Sequence, residues 1–182
     1  MIGSLIGLIK EKKPSLLLPE VNGVGYEIHV PLSTSFQLPK NGESAYLLTH
    51  LLVREDQHTL YGFATEEERN LFRTLIKISG VGAKMALTIL SGINVNGFVQ
   101  SVINEDIDTL VHLPGIGKKT AERLIVEMKD RIEGITDNLE SSASLTSENS
   151  IAVEARNALV NLGYKHNEAK KILDNIDTNG LS

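Results

Sequence analysis

The sequence predicts a chain of several small domains, β first and then α, ending in a small helical unit. Three observations carry this expectation. Residues 1–64 hold five short runs of strand type, residues 65–133 carry apolar side chains at helical spacing, and inside that helical stretch a nine-residue phrase recurs thirty-five positions on.

The strand runs are residues 2–9, 15–21, 26–30, 45–53 and 59–63, broken by Lys12-Lys13-Pro14, Asn22-Gly23, proline and Asn41-Gly42. Five short strands in so few residues suggest a small closed or partly open barrel, for which the OB-fold is the usual solution. Arg54-Glu55-Asp56-Gln57 joins the last two runs, so Glu55 and Asp56 are expected at a hairpin tip. Adjacent acids at a turn are, by themselves, solvated surface charge. Thr65 with Glu68 three positions on is a capping box, and Glu66-Glu67-Glu68 puts negative charge where a helix N-terminus favours it.

The repeated phrase is Ile78-Ser79-Gly80-Val81-Gly82-Ala83-Lys84-Met85-Ala86, echoed by Leu113-Pro114-Gly115-Ile116-Gly117-Lys118-Lys119-Thr120-Ala121. Each copy lies between apolar stretches of helical period (71–78 and 85–90, then 107–113 and 121–128), so each reads as helix, hairpin, helix. Glycines at both ends of a triplet permit a tight turn and clear side chains from the main chain. The N–H groups at the start of the following helix then face outward, where an anion suits both the unpaired donors and the helix dipole. A single Gly-x-Gly is usually only a turn; two copies in register, with a lysine at the same offset, point to nucleic-acid phosphates held without base readout. Gly80, Val81, Gly82, Gly115, Ile116 and Gly117 would contribute backbone, and Lys84, Lys118, Lys119, Thr120 and Arg123 side chains. The apolar side chains of Val81 and Ile116 are better suited to anchoring each hairpin on its own helices. A nucleotide-binding P-loop is excluded, since its required Gly and Ser/Thr positions hold His112 and Lys119.

Net charge is −5, from 18 basic and 23 acidic residues, and no segment is a basic tail. A DNA partner therefore requires a face on which cations are sorted from anions. There is no cysteine, and the five histidines have no metal-ligand spacing, so neither metal nor cofactor is expected. No apolar run reaches the ~20 residues of a membrane span, and a cytoplasmic protein is expected.

Residues 136–150 are polar, serine-rich and aperiodic, the composition of a flexible linker, which as a coil would span roughly 20 Å. A helical pattern returns over 151–176, with Ala155, Ala158, Leu159 and Leu162, a break at Gly163-Tyr164, then Ala169, Ile172, Leu173 and Ile176. Leu159, Leu162 and Tyr164 are candidates for a docking surface or for that small unit's own core. For Leu159 the two readings stand level, and Tyr164 suits an interface edge.

Met1-Ile2-Gly3, Gly23-Val24-Gly25-Tyr26-Glu27, Val53-Arg54-Glu55-Asp56, Leu60-Tyr61-Gly62-Phe63, the run from Leu113-Pro114-Gly115 through Glu122-Arg123-Leu124, and Leu162-Gly163-Tyr164 together resemble the RuvA family, Holliday-junction-binding subunits of the bacterial branch-migration complex. The resemblance runs in order over almost the whole chain. It implies an OB-fold barrel at 1–64, tandem helix-hairpin-helix motifs at 65–135, a linker at 136–150, and a UBA-like helical domain at 151–182. It also implies a homotetramer or octamer, four-way junction DNA as ligand, and the RuvB motor ATPase and RuvC resolvase as partners. Glu55 and Asp56 would form an acidic pin at the junction centre, and no residue would be catalytic. The family's last domain has three helices; the sequence ends at Leu181-Ser182, where the third is expected to begin, so that helix is expected to be missing. Arg54 would reach DNA near the pin or pair with Glu55. Paired hairpins also occur in DNA glycosylases, ligases and structure-specific nucleases, and a protein-protein scaffold is a third class. The first group needs catalytic residues not identifiable here, and the lysines at matching offsets argue against the scaffold.

Overall fold

The computed structural model describes residues 1–143 and, beyond them, Ala155, Ala158, Leu159, Tyr164, Glu168, Ala169, Ile172 and Leu173. The chain divides into two compact units, Met1–Ile135 and Thr136–Ser182.

The first unit opens with strands β1 (Ser4–Lys13), β2 (Leu16–Val21), β3 (Val24–Gly25) and β4 (Ile28–His29), then helix α1 (Leu32–Gln37), β5 (Ser44–Val53) and β6 (His58–Phe63). The sheet order is β1-β5-β6-β4-β2-β3, and β1 also pairs with β2, so five strands close an OB-like barrel and β3 hangs on the edge of β2. One long strand makes the closure. β1 pairs with β5 through Ser4 to Leu8 and with β2 through Leu8 to Lys13, and a bulge between Ile9 and Glu11 turns it from one neighbour to the other. Gly7 sits where the strands approach most closely: a Cβ there would lie 2.7 Å from the Glu20 carbonyl oxygen. Leu17, Ile28, Val30, Leu47 and Leu60 fill the interior.

Two features depart from the sequence reading. Of the expected strand at 26–30, only Ile28–His29 joins the barrel. Asn22 (φ 50°) and Gly23 (φ 83°) instead fold the chain back so that Val24 and Gly25 pair with β2. Helix α1 was not expected at all, because its Ser/Thr content gives it little propensity of its own. Its support is distant in sequence: Ser33 Oγ donates to Glu68 Oε1 (2.5 Å) and Thr34 Oγ1 to Glu68 Oε2 (2.6 Å).

That contact also revises the capping box. Thr65 does cap α2 (Glu66–Leu75), accepting from the Glu68 N–H at 3.2 Å. The reciprocal bond is replaced, however, because the buried Glu68 carboxylate takes the Ala64 N–H (3.2 Å) and the two α1 hydroxyls. Barrel and helices are thereby joined, and the Phe72 ring packs beside Tyr61 (4.9 Å) and Phe63 (5.0 Å) along the same seam.

The helical part continues with α3 (Ala83–Gly92), α4 (Val95–Ile103), α5 (Ile107–Val111) and α6 (Lys118–Ala143). Asn94 caps α4 and Asp106 caps α5; the bonds Asp106 accepts from the Thr109 hydroxyl and N–H hold its carboxyl below the usual aspartate value. Leu71, Phe72, Leu75, Ile89, Leu90, Phe98, Leu110, Leu124 and Met128 are buried between these helices. No single helix among the described residues is long and apolar enough to cross a membrane.

Helix α6 runs to Ala143, so residues 136–143 are helical where a linker was expected. After Gly134 no glycine or proline interrupts the run, and extending an existing helix is far easier than nucleating one. Residues 144–150 lie outside the described ones. In the second unit Ala155, Ala158, Leu159, Glu168, Ala169, Ile172 and Leu173 are helical, Tyr164 is not, and Ala169 is buried.

Candidate nucleic-acid interface

The two hairpins have the same backbone construction. Gly80 (φ 83°) and Gly115 (φ 79°) occupy the left-handed region that other residues enter only with strain, so each turn requires its first glycine. Val81 then donates its N–H to the Ile78 carbonyl (3.0 Å), as Ile116 does to Leu113 (3.1 Å). Both apolar side chains are buried, at 5% and 4% exposure, so only the main chain of Val81 and Ile116 is available to a ligand. Gly82 accepts from the Ala86 N–H and Gly117 from the Ala121 N–H, each at 3.0 Å, which starts α3 and α6.

The second glycine of each triplet behaves differently. Neither Gly82 nor Gly117 lies at positive φ, and a Cβ on either would meet nothing within 4 Å. Neither backbone strain nor crowding therefore calls for glycine there, although Gly82 is the N-cap of α3, a position glycine suits.

Charge is arranged against the helices that carry it. The first turn of α2 holds Glu66, Glu67 and Glu68, as the dipole favours. The first turns of α3 and α6 hold no acid but Lys84 on one and Lys118 and Lys119 on the other, all exposed. Cations in these positions cost helix stability and suit an external anion. None of the three is in an ion pair among the described residues. Thr120 is half-buried beside them. Arg123 is exposed, and its Nη1 donates to the Ser79 carbonyl at 3.1 Å, which ties the helix of the second hairpin to the turn of the first. The start of α6 and the first turn are thereby held together. Periodicity cannot reveal such a tie, since the partners lie 44 residues apart.

β5 and β6 pair up to Val53 opposite His58, and Arg54 donates its N–H to the Gln57 carbonyl at 2.9 Å. Glu55 and Asp56 are therefore exposed at the tip of this hairpin, as the sequence predicts. Arg54 forms no ion pair with Glu55. Among the described residues no three His, Asp or Glu side chains gather where a metal ion could bind.

In the second unit Tyr164 is 48% exposed and donates its N–H to the Leu159 carbonyl (3.1 Å), while Leu159 itself is half-buried. Leu162, the third docking candidate, lies outside the described residues.

Comparison with known proteins covers the same three regions. Residues 1–62 match the RuvA N terminal domain, residues 72–130 a SAM-like helix-hairpin-helix tandem, and residues 151–182 the RuvA C-terminal domain. The Holliday junction branch migration complex subunit RuvA of Coxiella burnetii (strain CbuG_Q212) is 54% identical over 184 residues, spanning 100% of this chain and 92% of that protein. Its namesake in Vibrio vulnificus (strain YJ016) is 52% identical over 185 residues, covering 97% of this chain and 91% of the relative. That of Yersinia pseudotuberculosis serotype O:1b (strain IP 31758) is 50% identical over the same shares. With both the barrel and the paired hairpins accounted for by these matches, the chain belongs to the RuvA family.

Proposed function

We propose that the chain is a non-catalytic subunit that binds four-way DNA junctions without sequence preference, holds them open and flat, and recruits the RuvB motor ATPase for branch migration in recombination and repair. The observation that carries this reading is the second glycine of each hairpin. Neither backbone strain nor crowding calls for glycine at 82 or 117, yet a side chain on either would stand between incoming phosphate oxygens and the N–H groups that open α3 and α6. The unpaired Lys84, Lys118 and Lys119 point to the same ligand. Contacts of this kind grip backbone and carry no base readout.

Two hairpins grip one duplex arm, and a junction has four arms related by near-four-fold symmetry. A homotetramer, or two tetramers face to face, matches that geometry. It would bring four Glu55-Asp56 tips to one centre. Carboxylates within the ~10 Å screening length of phosphates repel them, so the tips would keep duplex arms apart at the crossover without any bond chemistry. Leu159, Leu162 and Tyr164 are proposed to meet the motor, RuvC is proposed as a further partner, and the complex would act in the cytoplasm.

A gel-shift titration tests the reading, with a synthetic four-way junction compared against linear duplex of the same sequence. The junction is expected to bind at least ~100-fold more tightly, with a steep salt dependence. Equal affinities would overturn it.

A further inference from the structure

A groove of about 860 Å³ runs between the barrel and α3, and nothing above uses it. One wall comes from the barrel, with His29 and Tyr61, their rings 5.9 Å apart; the other comes from α3, with Leu87 and Thr88. Leu32 and Ser91 line it as well, and the Leu32 N–H donates to Ser91 Oγ at 3.0 Å, a bond between the two walls. At its mouth stand Arg54, from the base of the Glu55-Asp56 turn, and Lys84, from the first hairpin's helix. Although the chain carries a net charge of −5, among the described residues no aspartate or glutamate lines this groove, and neither Arg54 nor Lys84 has a carboxylate partner.

The occupant has to satisfy both halves of that description. Aromatic and aliphatic walls suit a planar apolar group, and the two cations suit an anion carried on the same molecule. A single strand of DNA has both, with bases that stack on sequence-tolerant surfaces and phosphates that follow a cationic rim. The groove also links the two elements proposed for the junction, since its lining includes Arg54 and Gln57, which flank the pin, and Gly82 and Lys84 of the first hairpin.

We propose that this groove receives an unpaired DNA strand at the crossover, with a base against the barrel wall and its phosphates on Arg54 and Lys84. The proposal rests on the junction-binding reading. It also gives the acidic tip a complement: the tip repels the duplex, and the adjacent groove accepts the strand that leaves it.

The experiment is photo-crosslinking of the full chain to a four-way junction with 5-iododeoxyuridine either at the crossover or in the middle of one arm. The crossover probe is expected to attach to groove residues, identified by mass spectrometry as peptides containing His29, Tyr61 or Leu87, whereas the arm probe is not. Ser15→Glu/Gln57→Glu adds two carboxylates at exposed barrel positions lining the groove. This pair should lower the crossover crosslink about tenfold. Junction affinity in the same samples should stay within about threefold, because Lys118, Lys119 and the amides of the second hairpin, which grip the duplex arm, are not among the groove's lining residues. Ser15→Gln, similar in size but uncharged, should crosslink like the parent, which separates a charge effect from a disturbed turn. Crosslinks mapping outside the groove, or a yield unchanged by the two carboxylates, would overturn the proposal while leaving junction binding intact. Loss of preference for the junction in the parent protein would instead strike the junction reading.

Discussion

The two hairpins share a backbone and differ in almost everything attached to it. Each uses a left-handed first glycine, a buried apolar anchor, and a second glycine that is neither strained nor crowded. The first hairpin offers one lysine, faces the barrel, and has Arg123 Nη1 only 3.2 Å from where a Cβ on Gly80 would stand. The second offers two lysines and a half-buried threonine, and nothing crowds Gly115. Sequence repetition therefore preserves the turn geometry, while the side chains differ, with two exposed lysines on the second hairpin and one lysine beside the barrel on the first. If that division is real, equivalent substitutions in the two copies must have unequal effects.

The largest inequality is expected from the lysines. Lys118→Ala/Lys119→Ala should weaken junction binding about 100-fold and Lys84→Ala about tenfold, since each removes charge-assisted phosphate contacts. The salt slope should fall by about two units for the pair and about one for the single change, per arm gripped. Fluorescence anisotropy over a salt series measures both. Equal losses would mean that the hairpins are equivalent despite their composition.

Next in size are the second glycines. Gly82→Val and Gly117→Val should each weaken junction binding about tenfold while costing less than about 1 kcal/mol of stability, the loss of a favourable N-cap residue, because neither position is strained or crowded at Cβ. Gly80→Val and Gly115→Val should in contrast destabilise the chain by about 1–2 kcal/mol, the cost of forcing a side chain into left-handed backbone. Thermal melts beside binding curves distinguish the two kinds of glycine. A Gly82 or Gly117 variant that binds like the parent would remove the main support for an amide-phosphate contact.

These contrasts also show how much the sequence discloses. The hairpins were legible because a helix-turn-helix unit is local: its glycines, anchor and following helix lie within nine residues, and the repetition suppressed chance. The acidic tip and the Thr65 cap were legible for the same reason. What stayed hidden depends on partners far along the chain. Helix α1 forms on Glu68 from 34 and 35 residues away, Arg123 crosses to Ser79 over 44, and the groove exists only because the barrel and α3 are packed together. Over residues 136–143 the linker reading departs from the structure for a different reason. Composition indicates whether a segment can fold alone, and residues 136–143 are carried by a helix that starts eighteen residues earlier.

A smaller effect is expected at the pin, which has no counterpart in either hairpin. Glu55→Gln/Asp56→Asn should fold normally, because both positions are exposed at a turn, and should keep or strengthen DNA binding by removing repulsion. Preference for junction over duplex should fall roughly threefold to tenfold, since the intact tip penalises continuous duplex across the centre more than an open crossover. Parallel titrations with the two DNAs measure it. Weaker junction binding with unchanged duplex binding would mean that the tip attracts.

The smallest expected effect concerns the footing of the first hairpin alone. His50 sits at the seam under α2, its ring 5.6 Å from that of Phe72, and its Nδ1 faces Arg73 Nε at 3.4 Å. Burial, and then the charges of Arg73 and Arg69, hold the imidazole below its ordinary value of about 6.5. Protonation is therefore easier in the unfolded chain than in the folded one. The stability this neutral ring contributes is complete above about pH 6.5 and is lost as the pH falls from there through the lowered folded value. Between pH 7 and pH 5.5, amide protection in α2, corrected for intrinsic exchange, should drop relative to the first turns of α6. His50→Gln, which can still accept from Arg73 but does not titrate, should remove that drop. Hydrogen exchange resolved by element is the measurement, and an equal response of α2 and α6 to acid, or a drop that survives His50→Gln, would show that the seam does not set the first hairpin apart.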